Sequence, residues 1–318
     1  MEDLNTLLTI IKAKLMSRPI ALCDIGDADG LTSAALFLMK YPNGSVVFAP
    51  PSKVQRGWLY RLIKWDFVAD LPCPGKVLIR ADHHKTNKPC AQFEYYDPEA
   101  PCSAYMAAKG LNLNDPKAQD LVKVAIETDT AHITSREAEE IDMAARFSSY
   151  GEKVKLAKVL AQEGLMALNE PWVKSIVERG YRAKELMLKI ADQIPIDNVV
   201  NVYFSERVGS LSYRQLTIEL QRRGAGMVNI LVKLGLRTYR YYCGADKSKF
   251  DCTRIASALG GGGHPYAAGA QYKAPLFKSR QGFEMFVNVL KDKLNMDKLN
   301  LIEVSSNANG ISIKMHQL

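Results

Sequence analysis

Residues 20–34 read IALCDIGDADGLTSA, and this stretch decides the fold. Ile20 to Cys23 is a short apolar run of the kind that forms a buried strand. Three aspartates follow at once, Asp24, Asp27 and Asp29, and Gly30 permits a tight turn into an apolar-periodic helix from Leu31 to Met39. A strand that ends in carboxylates and passes directly into a helix is the opening unit of an α/β domain. In such sheets ligand groups collect at the C-terminal edges of the strands.

The pattern continues downstream. Ser45 to Phe48, Phe67 to Ala69 and Lys76 to Ile79 read as strands, and roughly Cys102 to Lys109 and Asp115 to Glu127 as helices. Strands alternating with helices predict a mostly parallel sheet with helices on both faces. From about Arg136 to Gln193 the spacing is helical, interrupted by Gly164 and Pro171, which predicts a helical connector. After Ile194-Pro195 strands return, at Val199 to Phe204 and Thr238 to Cys243, so a smaller C-terminal α/β domain is expected. The expected division is 1–192 and 193–318, in line with one domain per ~150 residues.

Composition bounds the function. Hydrophobic residues at 47% and charged residues at 24% are ordinary for a folded soluble protein. No apolar run reaches the ~20 residues that span a bilayer. The start, MEDLNTLLTIIKAKL, reads as an amphipathic helix and not a signal peptide, so a cytoplasmic protein without membrane contact is expected. The net charge of +8 suits anionic partners. The six cysteines, Cys23, Cys73, Cys90, Cys102, Cys243 and Cys252, form no CxxC pair. Neither a disulfide framework nor a structural zinc site is expected from them.

Three further acidic motifs follow predicted strands or helices: Asp70 after Phe67-Val68-Ala69, Asp82-His83-His84 after Val77-Leu78-Ile79, and Asp129 in Glu127-Thr128-Asp129-Thr130. A single Asp after a strand is ordinarily a helix cap or turn residue. Four such motifs in one domain are not explained that way. Carboxylates crowded at one edge repel unless cations sit between them. Oxygen ligands with one imidazole suit a hard to borderline divalent ion such as Mn²⁺. Two ions sharing a carboxylate can ionise water and neutralise a phosphoryl group, which points to hydrolysis of phosphate esters or anhydrides.

Asp27-Ala28-Asp29-Gly30, Asp82-His83-His84 and Thr128-Asp129-Thr130, in that order, resemble the DHH phosphoesterase family. Gly260-Gly261-Gly262-Gly263-His264-Pro265-Tyr266-Ala267-Ala268-Gly269 resembles its associated C-terminal domain. The resemblance spans nearly the whole chain and includes the nanoRNase, oligoribonuclease and RecJ-like groups. It implies two Mn²⁺ ions, with Mg²⁺ or Co²⁺ as substitutes. Asp27 would bind one and Asp29 the other, Asp70 would bridge them, and His83 and Asp129 would complete the second seat. Asp82 would fix the tautomer of its neighbouring histidine, and His84 would face the scissile phosphate as a contact or proton donor. Asp66, placed before its strand, is the lesser competitor to Asp70. Many members carry a histidine just before the first aspartate; here Cys23, Asp24 and Ile25 stand in its place, and either Cys23 or Asp24 is left as the substitute.

In the second domain, the exposed amides of the run Gly261-Gly262-Gly263 and the imidazole of His264 suit a phosphate. Arg240 matches the family's substrate arginine, with Arg237 as competitor. Two domains joined by a helical connector would form a cleft able to measure substrate length. The expected activity is that of a phosphodiesterase or exonuclease for short single-stranded RNA or DNA and dinucleotides, with 3′-phosphoadenosine 5′-phosphate also in range. The rivals are a RecJ-like 5′ exonuclease on single-stranded DNA, a non-catalytic nucleic-acid-binding scaffold of the same fold, and an inorganic pyrophosphatase. The chain also leaves room for a symmetric homodimer.

Overall fold

In the computed structural model the opening strand is β1 (Ile20–Asp24), preceded by α1 (Glu2–Leu15) and followed by α2 (Ala28–Lys40). Residues 2–246, 248–278, 280–307 and 310–318 are described. The chain divides into two compact units, Met1–Tyr181 and Arg182–Leu318.

The first unit continues with β2 (Ser45–Ala49), α3 (Pro51–Arg56), α4 (Trp58–Leu62), β3 (Lys64–Ala69), β4 (Lys76–Asp82) and β5 (Ala91–Tyr96). Then come α5 (Ser103–Leu111), α6 (Pro116–Asp129), α7 (Arg136–Phe147) and α8 (Tyr150–Glu163), a 3-10 turn at Gly164–Asn169, and α9 (Pro171–Gln193), within which the division falls. The five strands pair in the order β2-β1-β3-β4-β5, all parallel. Alternation along β1 sorts the core into two faces. Ile20 and Leu22 pack with Ile10, Val54, Tyr60 and Trp65 beneath α1, α3 and α4. Ala21 and Cys23 pack with Leu31, Phe37, Ala104, Leu121 and Leu156 beneath α2, α5, α6 and α8. This is the expected parallel sheet covered on both faces. The connection leaving β1 runs outward to β2, while β3 leads to β4 on the other side. The C-terminal ends of β1 and β3 therefore flank the crevice where such sheets bind ligands.

The second unit holds β6 (Val199–Phe204), α10 (Tyr213–Arg222), β7 (Met227–Lys233), β8 (Thr238–Ala245), α11 (Cys252–Ala258), β9 (Gly262–His264), β10 (Ala267–Lys273), α12 (Gln281–Leu294), β11 (Asn300–Asn307) and β12 (Gly310–Gln317). Its seven strands form one mixed sheet, β12-β11-β6-β7-β8-β10-β9. One face is covered by the end of α9 and by α10, the other by α11 and α12.

The cysteine reading requires correction. Cys73 and Cys90 are disulfide-bonded, with Cα atoms 6.1 Å apart, and Cys243 and Cys252 pair likewise at 5.7 Å. Parallel pairing of β4 with β5 puts Val77 beside Ala91, which draws the two segments that enter these strands together. Spacing along the chain carries no trace of that adjacency. Cys23 and Cys102 are free and buried.

Candidate metal centre

Asp24 is the last residue of β1, and its Oδ1 is buried without a hydrogen-bond partner. Asp27 caps α2, accepting a hydrogen bond from the Gly30 amide at 3.1 Å. Asp70 directly follows β3 with φ +60°, a left-handed backbone uncommon outside glycine and often found at functional positions. Its amide is held by the Ala81 carbonyl of β4 at 3.0 Å. Asp24, Asp27 and Asp70 each offer an oxygen within 4.8 Å of the others. Of the two candidates for the missing histidine's place, Asp24 is therefore the one that joins the cluster. Burial, reinforced by the Asp70 charge, pushes the Cys23 thiol up, so it stays protonated. Asp66 lies inside β3, not before it, because the strand begins at Lys64. Its carboxylate accepts a hydrogen bond from the Ile20 amide at 2.9 Å, at the opposite end of β1 from the cluster.

Asp29, in the first turn of α2, is only 1% exposed. Its two oxygens accept hydrogen bonds from the Ser103 and Ala104 amides, each at 2.7 Å. The start of α5 thus fixes this carboxylate, as a helix N-terminus favours an anion. The Ser103 hydroxyl donates to Asp70 at 3.0 Å, tying the same helix to both aspartates. His83 Nδ1 lies 3.1 Å from the Ala100 carbonyl and can donate to it. That bond leaves the Nε2 lone pair free; Nε2 faces Asp129 Oδ2 at 3.3 Å and has no hydrogen-bond partner. A backbone acceptor on one ring nitrogen is the usual way to orient a metal-binding imidazole. Asp29, His83 and Asp129 form a second group within 4.8 Å, and Asp70 gathers with His83 and His84 in a third. Asp70 belongs to both sides of the cluster.

The electrostatics follow from this crowding. Burial, with repulsion from Asp27, raises Asp24 to about 7. Burial and neighbouring carboxylates push Asp29 and Asp70 well above the usual carboxylate range. Buried acids that raise one another's pKa form a seat for cations. Carboxylate oxygens with one imidazole, plus unpartnered buried atoms at Asp24 Oδ1 and His83 Nε2, fit divalent ions of hard to borderline character.

Asp82 is fully buried and holds His84, not His83. Its Oδ1 accepts from the His84 amide at 3.2 Å and contacts His84 Nδ1 at 2.9 Å. Its Oδ2 accepts from Asn87 at 2.7 Å and from Arg80. Burial works against the Asp82 charge, but hydrogen bonds from His84 and Asn87 and the Arg80 charge win, and its pKa falls. The Asp82 hydrogen bond raises His84, whose side chain is 49% exposed. Sequence reasoning missed Ser103, Ala100, Asn87 and Arg80, which reaches on to Glu94 at 2.5 Å. It also missed Lys153 of α8, buried and donating to the Ile25 carbonyl. Arg80 alone left a signal, as a lone cation in a strand pattern.

In the second unit Gly262, Gly263 and His264 form β9, paired antiparallel with Ala267, Ala268 and Gly269 of β10. The glycines thus lie partly within a strand, and what they approach closely is β10. A Cβ on Gly261 would fall 2.1 Å from the Gly269 carbonyl, and one on Gly263 2.5 Å from the Ala267 carbonyl. Gly262 faces open space. The His264 ring stacks on Tyr266, with centroids 5.4 Å apart. Arg240 is exposed on β8, whereas Arg237 donates to the Ala274 carbonyl at 2.7 Å.

No protein-family model matches this sequence, and no curated protein does. Among solved structures, a pGpG-specific phosphodiesterase from Vibrio cholerae aligns with a TM-score of 0.62 at 16% identity, covering 86% of this chain and 100% of that one. An exonuclease RecJ bound to manganese aligns with a TM-score of 0.59 at 15% identity, over 86% and 89% of the two chains. The DHH domain of a member of a family of ribosomal proteins aligns at 0.50 and 14% identity, over 91% of each. The chain has the DHH phosphoesterase fold that its motifs led us to expect.

Proposed function

We propose that this chain is a Mn²⁺-dependent phosphodiesterase that hydrolyses short oligonucleotides, dinucleotides included. The observation that carries the reading is Asp70, whose carboxylate belongs both with Asp24 and Asp27 and with His83 and His84. Asp24, Asp27 and Asp70 would hold one ion, and Asp29, Asp70, His83 and Asp129 the other. Such ions, when bound, supply a water that ionises near neutral pH and neutralise phosphoryl charge. The start of α5 keeps Asp29 in place, and the Ala100 carbonyl keeps His83 in the ligating tautomer. His84, with its proton retained through Asp82, can hold a phosphate oxygen or protonate the leaving oxygen from Nε2. In the second unit Arg240, the amides of Gly261 to Gly263 and His264 would bind a substrate phosphate. The folds of the pGpG-specific phosphodiesterase and of the manganese-bound exonuclease support phosphodiester chemistry on a divalent metal.

The test is a substrate panel of RNA and DNA from two to twenty-four nucleotides, given to chelator-stripped protein with Mn²⁺, Mg²⁺ or no metal. We expect no turnover without metal, best restoration by Mn²⁺, and fastest cleavage of the shortest strands. Asp70→Asn should lower turnover about a hundredfold or more, as loss of transition-state charge stabilisation does. Faster turnover of 24-mer DNA would replace this reading with a RecJ-like single-strand exonuclease. Silence on every substrate, with either metal, would replace it with a non-catalytic scaffold.

A further inference from the structure

Lys153 is 3% exposed, in the first turn of α8, and its ammonium donates to the carbonyl of Ile25. Ile25 lies between Asp24 and Asp27, so the lysine is fastened to the loop that carries two of the three carboxylates of the first seat. The same ammonium stands 5.9 Å from the centre of the Phe48 ring. Phe48 pairs with Cys23 and Ala49 with Asp24, which places the ammonium at the strand ends that bear the cluster. A lysine is rarely buried unless its charge is used. The charges that act on it are those of Asp27 and Asp24, opposed by Arg146, which is itself paired with Asp142 at 2.7 Å. Among the described residues no carboxylate forms an ion pair with Lys153, and Asp24 Oδ1 is left unpartnered. The ammonium is held by a backbone carbonyl and not by a carboxylate, and Asp24 Oδ1 remains available.

We propose that Lys153 is a positioning residue that sets the charge of the first metal seat. This inference rests on the metal-dependent reading above. With its protons displaced by the ion, the seat of Asp24, Asp27 and Asp70 carries three negative charges, and one fixed ammonium brings it to two, the charge that a single divalent ion neutralises. An aspartate in the place of a neutral ligand adds a negative charge to a buried cluster; the lysine offsets it without occupying a ligand position. The consequence is a seat that binds its ion moderately. At 3% exposure Lys153 acts through the carboxylates and not by contact with a substrate.

The direction of the effect separates this role from a structural one. Lys153→Gln keeps a donor for the Ile25 carbonyl and removes the charge, so Mn²⁺ should bind about tenfold tighter, a modest Coulomb gain for a partly screened divalent ion. Lys153→Arg should bind Mn²⁺ as the wild type does. A lysine that merely braces the loop predicts weaker binding in Lys153→Gln, and that result, or no change, would overturn the proposal. Affinity and stoichiometry are read by calorimetric titration of the full chain with MnCl₂, without substrate. Should Lys153→Gln fail to fold, the pair Asp24→Asn and Asp24→Asn/Lys153→Gln decides the matter. The single variant should bind about tenfold more weakly, and the double variant, with the net charge restored, within about threefold of wild type. A double variant as weak as the single one would also overturn the proposal. If the wild type binds no Mn²⁺ at all, the functional reading fails; if it binds and the charge variants do not shift it as stated, only the role of Lys153 fails.

Discussion

Asp24, Asp29 and Asp70 resist ionisation in the metal-free chain, and this gives the protein a defined response to pH. Asp24 titrates at about 7, above its ordinary 3.8, and Asp29 and Asp70 are raised well beyond that ordinary value. A carboxylate whose folded pKa exceeds its unfolded one binds protons on folding, so its effect on stability worsens as pH rises from the unfolded value to the folded one. Metal-free protein should therefore lose stability from about pH 4 through 7. Metal binding displaces the same protons and should tighten across that window, up to about tenfold per pH unit for each proton released. Melting curves in chelator and in Mn²⁺ at pH 5, 6, 7 and 8 check both signs. The chelated midpoint should fall with pH while the gap to the Mn²⁺ curve widens; a constant gap would show that these carboxylates hold no protons. Most of these residues were readable because each is an acid or histidine directly after an apolar run. Their supports were not: the Ala100 carbonyl has no side-chain signature, and Lys153 lies 128 positions from its partner.

At the scale of elements, β1, β3 and β4 were legible as runs of buried apolar residues. β5 was not, since Gln92 and Glu94 break its pattern and the strand is only partly buried at the sheet edge. The short helices α3 and α4 escaped because five or six residues cannot show a helical period. The glycine run could be read as a special backbone, but not as a strand, because its hydrogen bonds go to residues whose pairing only the fold reveals. β9 separates the roles of its glycines. Gly261→Ala and Gly263→Ala would press a methyl against β10 carbonyls, and Gly263 also has φ +145°, so each should lose about 1–3 kcal/mol in urea unfolding. Gly262→Ala meets nothing within 4 Å and should keep wild-type stability to within about 1 kcal/mol. If the loop grips substrate, Gly262→Ala should nevertheless raise KM for a dinucleotide several-fold. An unchanged KM would remove Gly262 from the binding surface.

For the whole molecule, alternating strands and helices foretold the parallel sheet, whereas the disulfides Cys73–Cys90 and Cys243–Cys252 were invisible, since spacings of 17 and 9 residues encode no bond. The metal groups show the same distance between chain and space: they draw on β1, α2, β3, β4 and α6, from Asp24 to Asp129. More than a hundred residues of chain must be gathered before these oxygens meet, and closing such loops is slow entropic work. An ion should not then serve as a nucleus; it should find its seat only after the folding barrier has been crossed. Interactions absent from the transition state act on the rate of unfolding and leave that of folding nearly untouched. Stopped-flow measurements should find refolding rates equal within about twofold in Mn²⁺ and in chelator. Unfolding should slow by up to about a hundredfold for each ion bound, at a metal concentration about a hundred times its Kd. A bound metal would thus give this fold persistence: it would lengthen the life of the native state without hastening its birth.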